Sequence, residues 1–193
     1  MIRSAENLRN ELLTELRSGL IGAMSKMEIR PWTLADIPSI QSIMWTSWCE
    51  TYSGFIPEED LRAYFDEHMS TEMFVNLCND ETARIFMAAI QETAIGFSKT
   101  KFNKSQSRFY VQSLHVLPAY QGKGVGSLLM KQCEMFALSF GVDSLWLGVM
   151  EQNAKALEWY KRNGFQFVEQ EPFTMGKTTV NHFIGFKNIS LQK

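Results

Sequence analysis

The stretch from Leu114 to Met130, LHVLPAYQGKGVGSLLM, constrains the fold more than any other part of the chain. An apolar run suited to a β-strand stops at Pro118. Three alternate glycines, Gly122, Gly124 and Gly126, then open a segment whose apolar positions Leu128, Leu129, Cys133 and Phe136 can share a sheet-facing side of a helix. In such a unit the backbone comes close to a ligand, and the free N–H groups of the first helical turn point at it with a favourable dipole. The expected ligand is an anion, with phosphate the first choice. Two familiar phosphate loops do not fit. Lys123 is followed by Gly124 where a Walker A loop needs Ser or Thr, and Ser127 stands where the dinucleotide-binding motif needs its third glycine. A turn used only for tight strand-to-helix packing is the alternative without a ligand.

The remaining sequence can bury a core around this unit. Of 193 residues 45% are hydrophobic and 21% charged, and a chain of this length buries roughly 70% of its unfolded surface, so neither disulfides nor a structural metal is required. Cys49, Cys78 and Cys133 are widely spaced without a CxxC pair, which predicts no disulfide framework, no metal site and a cytoplasmic protein. Nineteen Lys and Arg against twenty-one Asp and Glu lack the basic excess that nucleic-acid binding requires. No apolar run reaches membrane-span length, and Glu6, Arg9, Glu11, Glu15 and Arg17 occupy the place of a signal peptide's apolar core. A soluble, unexported chain is expected.

Residues 1–26 read as an amphipathic helical appendage, with Leu8, Leu12, Leu13, Leu16, Leu20 and Ile21 at helical spacing and Met24 and Met27 as further start points. Residues 27–193 form the domain. Predicted strands are Glu28 to Trp32, Arg84 to Ala89, Ala94 to Phe102, Arg108 to Val116, Ser144 to Val149, Phe165 to Thr174 and Thr179 to Phe186. Predicted helices run from Leu34 to Trp48, opened by Thr33 with Asp36 as a capping-box variant, through segments between Pro57 and Leu77, and over Gly122 to Phe140 and Asn153 to Arg162. This order gives an α/β fold: one mixed sheet with helices on both faces.

Two motifs carry a family resemblance over about residues 27–187. Gln121-x-x-Gly124-x-Gly126 after a strand resembles the pyrophosphate loop of the GNAT superfamily of acyl-CoA-dependent N-acyltransferases. Asn153-x-x-Ala156-x-x-Trp159-Tyr160-x-x-x-Gly164-Phe165 resembles that superfamily's second conserved segment. Trp146-Leu147-Gly148-Val149-x-Glu151-x-Asn153 with Met175-Gly176 is similar to the PaiA-type branch, which acetylates spermidine and spermine. That branch carries an acidic residue a few positions after Met-Gly, near where this chain has His182.

The resemblance implies a mostly antiparallel mixed sheet with a splayed central strand pair that admits acetyl-CoA. Backbone groups of the segment Leu114, His115 and Val116 would bond the pantetheine arm, and the N–H groups of Gly122, Lys123, Gly124, Val125, Gly126 and Ser127 would cradle the pyrophosphate. Gln121 and Lys123 would add side-chain contacts, Asn153 would bond the arm or simply cap its helix, and Ala156 and Tyr160 would complete the cofactor site. The match places the Tyr160 phenol as general acid to the departing thiolate. Homodimers are common in the family.

Acyl transfer also needs a neutral nucleophile. An amine with pKa ~10.4 is neutral in about one molecule in 2,500 at pH 7, a deficit of about 4.6 kcal/mol that a base or desolvation must cover. Many family members use a glutamate before the loop, and the matching position here is Gln112. Glu50, Glu151 and His115 are the remaining candidates, each with an ordinary structural role as alternative, and a water chain is another. Between residues 50 and 72 seven acids (Glu50, Glu58, Glu59, Asp60, Asp66, Glu67, Glu72) face one base, Arg62, which favours a cationic acceptor or marks solvated helix faces. Trp45, Trp48, Tyr52 and Phe55 can flank the substrate or fill the core. Three functions stay open: acetyl transfer to a small amine such as a polyamine, acetylation of a protein N-terminus or lysine, and an acyl-CoA sensor without turnover.

Overall fold

A computed structural model describes residues 27–190; the appendage predicted for residues 1–26 lies outside the described residues. Seven strands form one sheet: β1 (Met27–Pro31), β2 (Ala83–Ile90), β3 (Thr93–Asn103), β4 (Arg108–Val116), β5 (Ser144–Met150), β6 (Gln166–Met175) and β7 (Thr178–Asn188), in the order β1-β2-β3-β4-β5-β7-β6. Every neighbouring pair is antiparallel except β4 with β5. The helices are α1 (Ile37–Tyr52), α2 (Glu58–His68), α3 (Thr71–Leu77), α4 (Val125–Ser139) and α5 (Ala154–Arg162).

Alternation along the strands divides the core in two. Phe109 and Val111 on β4 and Leu145, Leu147 and Val149 on β5 meet Leu129, Cys133 and Ala137 of α4, while Ala156, Leu157 and Tyr160 of α5 pack at the margin of that layer. On the opposite face Ile85, Met87 and Phe97 meet Ile40, Met44 and Trp48 of α1, Leu61 of α2 and Phe74 of α3. Leu129 is fully buried, so truncating it to Ala would cost about 2–5 kcal/mol.

Element types follow the sequence reading, and the differences lie at the ends. The helix expected from Gly122 starts at Val125, because Gly122 (φ 73°) and Gly124 (φ 84°) are left-handed and cannot continue a right-handed helix. A short 3-10 turn, Leu34–Asp36, precedes α1; Asp36 accepts from the Thr33 N–H at 2.7 Å and hydroxyl at 3.0 Å, and from Arg30 at 2.7 and 2.8 Å. The helical stretch before Leu77 is broken between α2 and α3, where the Ser70 hydroxyl accepts from Met73 N at 3.2 Å as an N-cap.

Candidate active site

The central strands part where the sequence places a cofactor. β4 and β5 pair in parallel only from Phe109 with Leu145 to Val111 with Leu147. Gln112 is the extra residue of a bulge, since Thr100 pairs with Val111 and Lys99 with Ser113. Beyond it β4 stays bonded to β3 as far as Val116 with Gly96, so its edge toward β5 is free over Ser113 to Val116. A free strand edge can take the amides of an extended ligand. Leu114 and Val116 pack toward the α4 layer. The His115 ring lies on the opposite face, 5.5 Å from Phe97, and desolvation pushes it down to about 4, so it is neutral at physiological pH.

The glycine loop closes one end of this split. Gln121 ties the loop together: its amide nitrogen donates to Val116 O at 3.0 Å and its oxygen accepts from Lys155 Nζ at 2.6 Å. Lys123 donates to the Ala119 carbonyl and lies 5.4 Å over the Tyr120 ring. No side chain caps α4, whose entry bond runs from Leu128 N to Gly124 O at 3.1 Å. The N–H groups of Val125, Gly126 and Ser127 therefore have no acceptor within the helix and carry its positive pole. A Cβ on Gly126 would touch only the Trp159 ring, at 3.4 and 3.8 Å, so tight packing alone does not demand glycine there. This loop fits a pyrophosphate.

Three polar side chains converge beside the split. Asn153 caps α5 by accepting from Ala156 N at 3.2 Å. Desolvation pushes the Tyr160 phenol well above its ordinary value, with Tyr52 adding to the effect, so Tyr160 keeps its proton at neutral pH. Tyr52 reaches the same place from the last turn of α1; desolvation takes it up to about 12, and the Asn153 side chain beside it pulls the other way. The sequence reading placed Tyr52 only among aromatic side chains near the acceptor. The predicted helix ends at Trp48, whereas α1 runs on to Tyr52, and no local signal joined this side chain to Asn153 and Tyr160.

The proposed acids and bases are spread more widely. Glu50 is exposed on α1. Glu151, exposed just past β5, accepts from Asn181 Nδ2 at 2.8 Å, while its own N–H donates to Asn181 O at 2.9 Å. Gln112 lines a cavity of about 470 Å³ together with Thr82, Asn103, Tyr110 and the Lys101–Asp80 ion pair. Of the seven acids between residues 50 and 72, Asp60 is buried and bonded to Lys177 N and the Thr178 hydroxyl, whereas the other six are exposed. Arg62 stacks 3.5 Å over Trp45.

Residues 41–165 match the acetyltransferase (GNAT) family. The chain belongs to the GNAT acetyltransferase family. It is an acetyl-CoA-dependent N-acetyltransferase, and acetyl-CoA is its cosubstrate. The PaiA N-acetyltransferase of Thermoplasma acidophilum in complex with coenzyme A superposes with a TM-score of 0.72 at 25% identity, covering 84% of this chain and 98% of that one. A spermidine N(1)-acetyltransferase of the same organism is 26% identical over 144 residues, 72% of this chain and 88% of the relative. Streptothricin acetyltransferase of Streptomyces lavendulae is 34% identical over 89 residues, 46% of this chain; the match spans 47% of that enzyme. Among the described residues of this GNAT acetyltransferase, no helix is long and apolar enough to cross a membrane.

Proposed function

We propose that this acetyltransferase moves the acetyl group of acetyl-CoA to a primary amine of a small cationic acceptor of the polyamine class, by direct attack on the thioester. The observation that carries the reading is the parting of β4 and β5 after Val111 and Leu147, with uncapped N–H groups of α4 at one end and Tyr160 packed in the same layer as α4. The N–H groups of Val125, Gly126 and Ser127 hold the pyrophosphate, the free edge from Leu114 to Val116 holds the pantetheine arm, and Asn153 adds its amide. Tyr160 holds a proton ready for the departing thiolate. Gln121 acts by fixing the loop, given that both ends of its amide are bonded within the protein.

The acceptor class is supported by charge and by likeness. Six exposed carboxylates on and around α1 to α3 and Glu171 on β6 give the side of the sheet opposite α4 an anionic field, which raises the local concentration of a cationic amine. The spermidine-specific name of one relative points the same way. The deciding experiment is thiol release from acetyl-CoA with a panel containing spermidine, spermine, free lysine and an unstructured peptide. Release with the polyamines above the other amines is expected. Equal or greater release with the peptide would move the acceptor to proteins, and tight acetyl-CoA binding without release for any amine would make the protein a sensor.

A further inference from the structure

Gly148 leaves room for the ring of His182. A Cβ built on Gly148 would collide with Cε1 and Nε2 of His182 and come within 3.0 Å of Nδ1, so any side chain at 148 would displace the imidazole. Gly148 is the first residue of β5 beyond its last pair with β4, Val111 with Leu147. His182 pairs with Met150 across β5 and β7, and Met150 belongs to the core layer beneath α1, α2 and α3. Tyr160 packs at the margin of the opposite layer. The two side chains thus approach the same split from opposite faces of the sheet.

We propose that His182 is the residue that takes the proton from the acceptor amine during acetyl transfer. The inference rests on the acetyl-transfer reading above and names its missing base. The ammonium of the acceptor first passes one proton to the unprotonated ring nitrogen; as the freed amine nitrogen bonds to the acyl carbon and the carbon–sulfur bond breaks, the sulfur takes the proton of Tyr160 and the second N–H proton leaves to solvent. The imidazolium and phenolate then exchange protons with solvent, returning both groups to their starting states. A neutral imidazole carries an N–H on one ring nitrogen and a lone pair on the other, and it is the lone pair that accepts the proton.

The surroundings keep that ring neutral. Desolvation lowers the His182 pKa from its ordinary value of 6.5, outweighing the Gly148 carbonyl and the charge of Glu171, its cross-strand partner on β6, both of which favour the cation. Phe173 lies 5.1 Å away on β6, and behind it α2 contributes Tyr64, 5.7 Å from Phe173. From β5 the neighbours are Gly148 and Met150, neither of which titrates. Of the other two imidazoles on this side, His68 lies on α2 with its ring 4.1 Å from that of Tyr64, and His115 on β4 is held at about 4 and is a much poorer proton acceptor.

The test begins with wild-type thiol release, then compares His182→Gln, His182→Asp, Glu50→Gln and Glu151→Gln in kcat/KM against pH, with acetyl-CoA affinity and folding measured for each. In parallel, the three histidines of the ligand-free protein are titrated by NMR. The wild-type acid limb should match the His182 titration, below 6.5. His182→Gln should lower kcat by about 10²-fold or more, lose that limb and keep its acetyl-CoA affinity. His182→Asp should retain more activity, with the limb moved toward the carboxylate range. A folded His182→Gln enzyme with an unchanged limb overturns the assignment, as does a limb that moves in Glu50→Gln or Glu151→Gln instead. If His182→Gln does not fold, a mismatch between the NMR and kinetic values in the wild type overturns it equally. Absence of wild-type release with every amine has a different meaning: it removes the acetyl-transfer reading on which this one stands.

Discussion

The Thr178 hydroxyl donates to Asp60 Oδ2 at 2.6 Å and so fastens α2 to the turn between β6 and β7. Lys177 N donates to the other carboxylate oxygen at 2.9 Å. The turn comes this close because residue 176 is glycine: its φ is 58°, and a Cβ there would collide with Oδ1 and lie 2.7 Å from the Asp60 Cα. The Met175-Gly176 motif is thus explained by a contact with a helix more than a hundred residues earlier. The latch fixes the hairpin that carries Phe173 and His182.

Asp60→Asn should loosen that hairpin more than the rest of the protein. Hydrogen exchange should quicken across residues 173–182, and the amine KM should rise more than that of acetyl-CoA. The pH dependence has a definite sign. The Thr178 and Lys177 bonds hold the Asp60 carboxyl below its ordinary range, so its contribution to stability is full above that range and is lost as pH falls through the lowered value. The Tm gap between wild type and Asp60→Asn should therefore narrow between pH 7 and pH 3. A constant gap would remove the carboxylate from the account.

Gly126 and Gly124 should separate binding from folding. At Gly126 the backbone is helical and a Cβ meets only the Trp159 ring at ordinary distance, so Gly126→Val should keep the fold while adding bulk to the first turn of α4. Acetyl-CoA affinity measured by calorimetry should fall at least about tenfold, equivalent to about 1.4 kcal/mol. Gly124→Val acts differently, because φ is 84° there; backbone strain of order 1–3 kcal/mol should lower Tm as well. Unchanged affinity in a folded Gly126→Val would sink the pyrophosphate loop.

What was legible in the sequence was local. Alternation gave the strands, apolar spacing gave α1, α4 and α5, and the glycine triplet gave the loop, because each depends on residues within a turn or two of one another. The splay at Val111 was visible only through the family resemblance, since a bulge at Gln112 is set by the register of β3 against β4. Pairings distant in the chain were silent: Tyr52 beside Asn153, Asp60 on the β6–β7 turn, His182 over Gly148. Gln121 shows the same boundary from the other side. Its place in the motif was plain, yet its bonds to Val116 and Lys155 make it a brace for the loop.

Asn153 has two separable roles, and Asn153→Asp divides them. Its Oδ1 accepts from Ala156 N, a task aspartate performs equally well at a helix N-terminus. Its amide donor is lost in the variant. Tm should stay close to wild type while acetyl-CoA affinity falls and the Tyr52 phenol, now beside a carboxylate, becomes harder to ionise. Asn153→Ala should in addition cost about 1 kcal/mol of stability through loss of the cap. Equal affinity in wild type and Asn153→Asp would confine Asn153 to capping.

Tyr160→Phe tests the general acid. The ring sits 5.0 Å from Trp159 and 5.5 Å from Phe165, contacts that phenylalanine preserves, so folding and acetyl-CoA affinity should change little. If the phenol protonates the departing thiolate, kcat should fall by at least about tenfold, within the range for such proton transfer. Complete inactivation is not expected, because a thiol with pKa near ~8.5 is already a fair leaving group. Leaving-group dependence sharpens the test: activity of the variant should recover toward wild type with acyl donors whose thiols are more acidic, since these need no proton at departure. An unchanged kcat where chemistry limits turnover would remove the acid role. A loss confined to acetyl-CoA affinity would instead make Tyr160 a side chain that positions the cosubstrate, and Tyr52→Phe would then test the neighbouring phenol as the proton source.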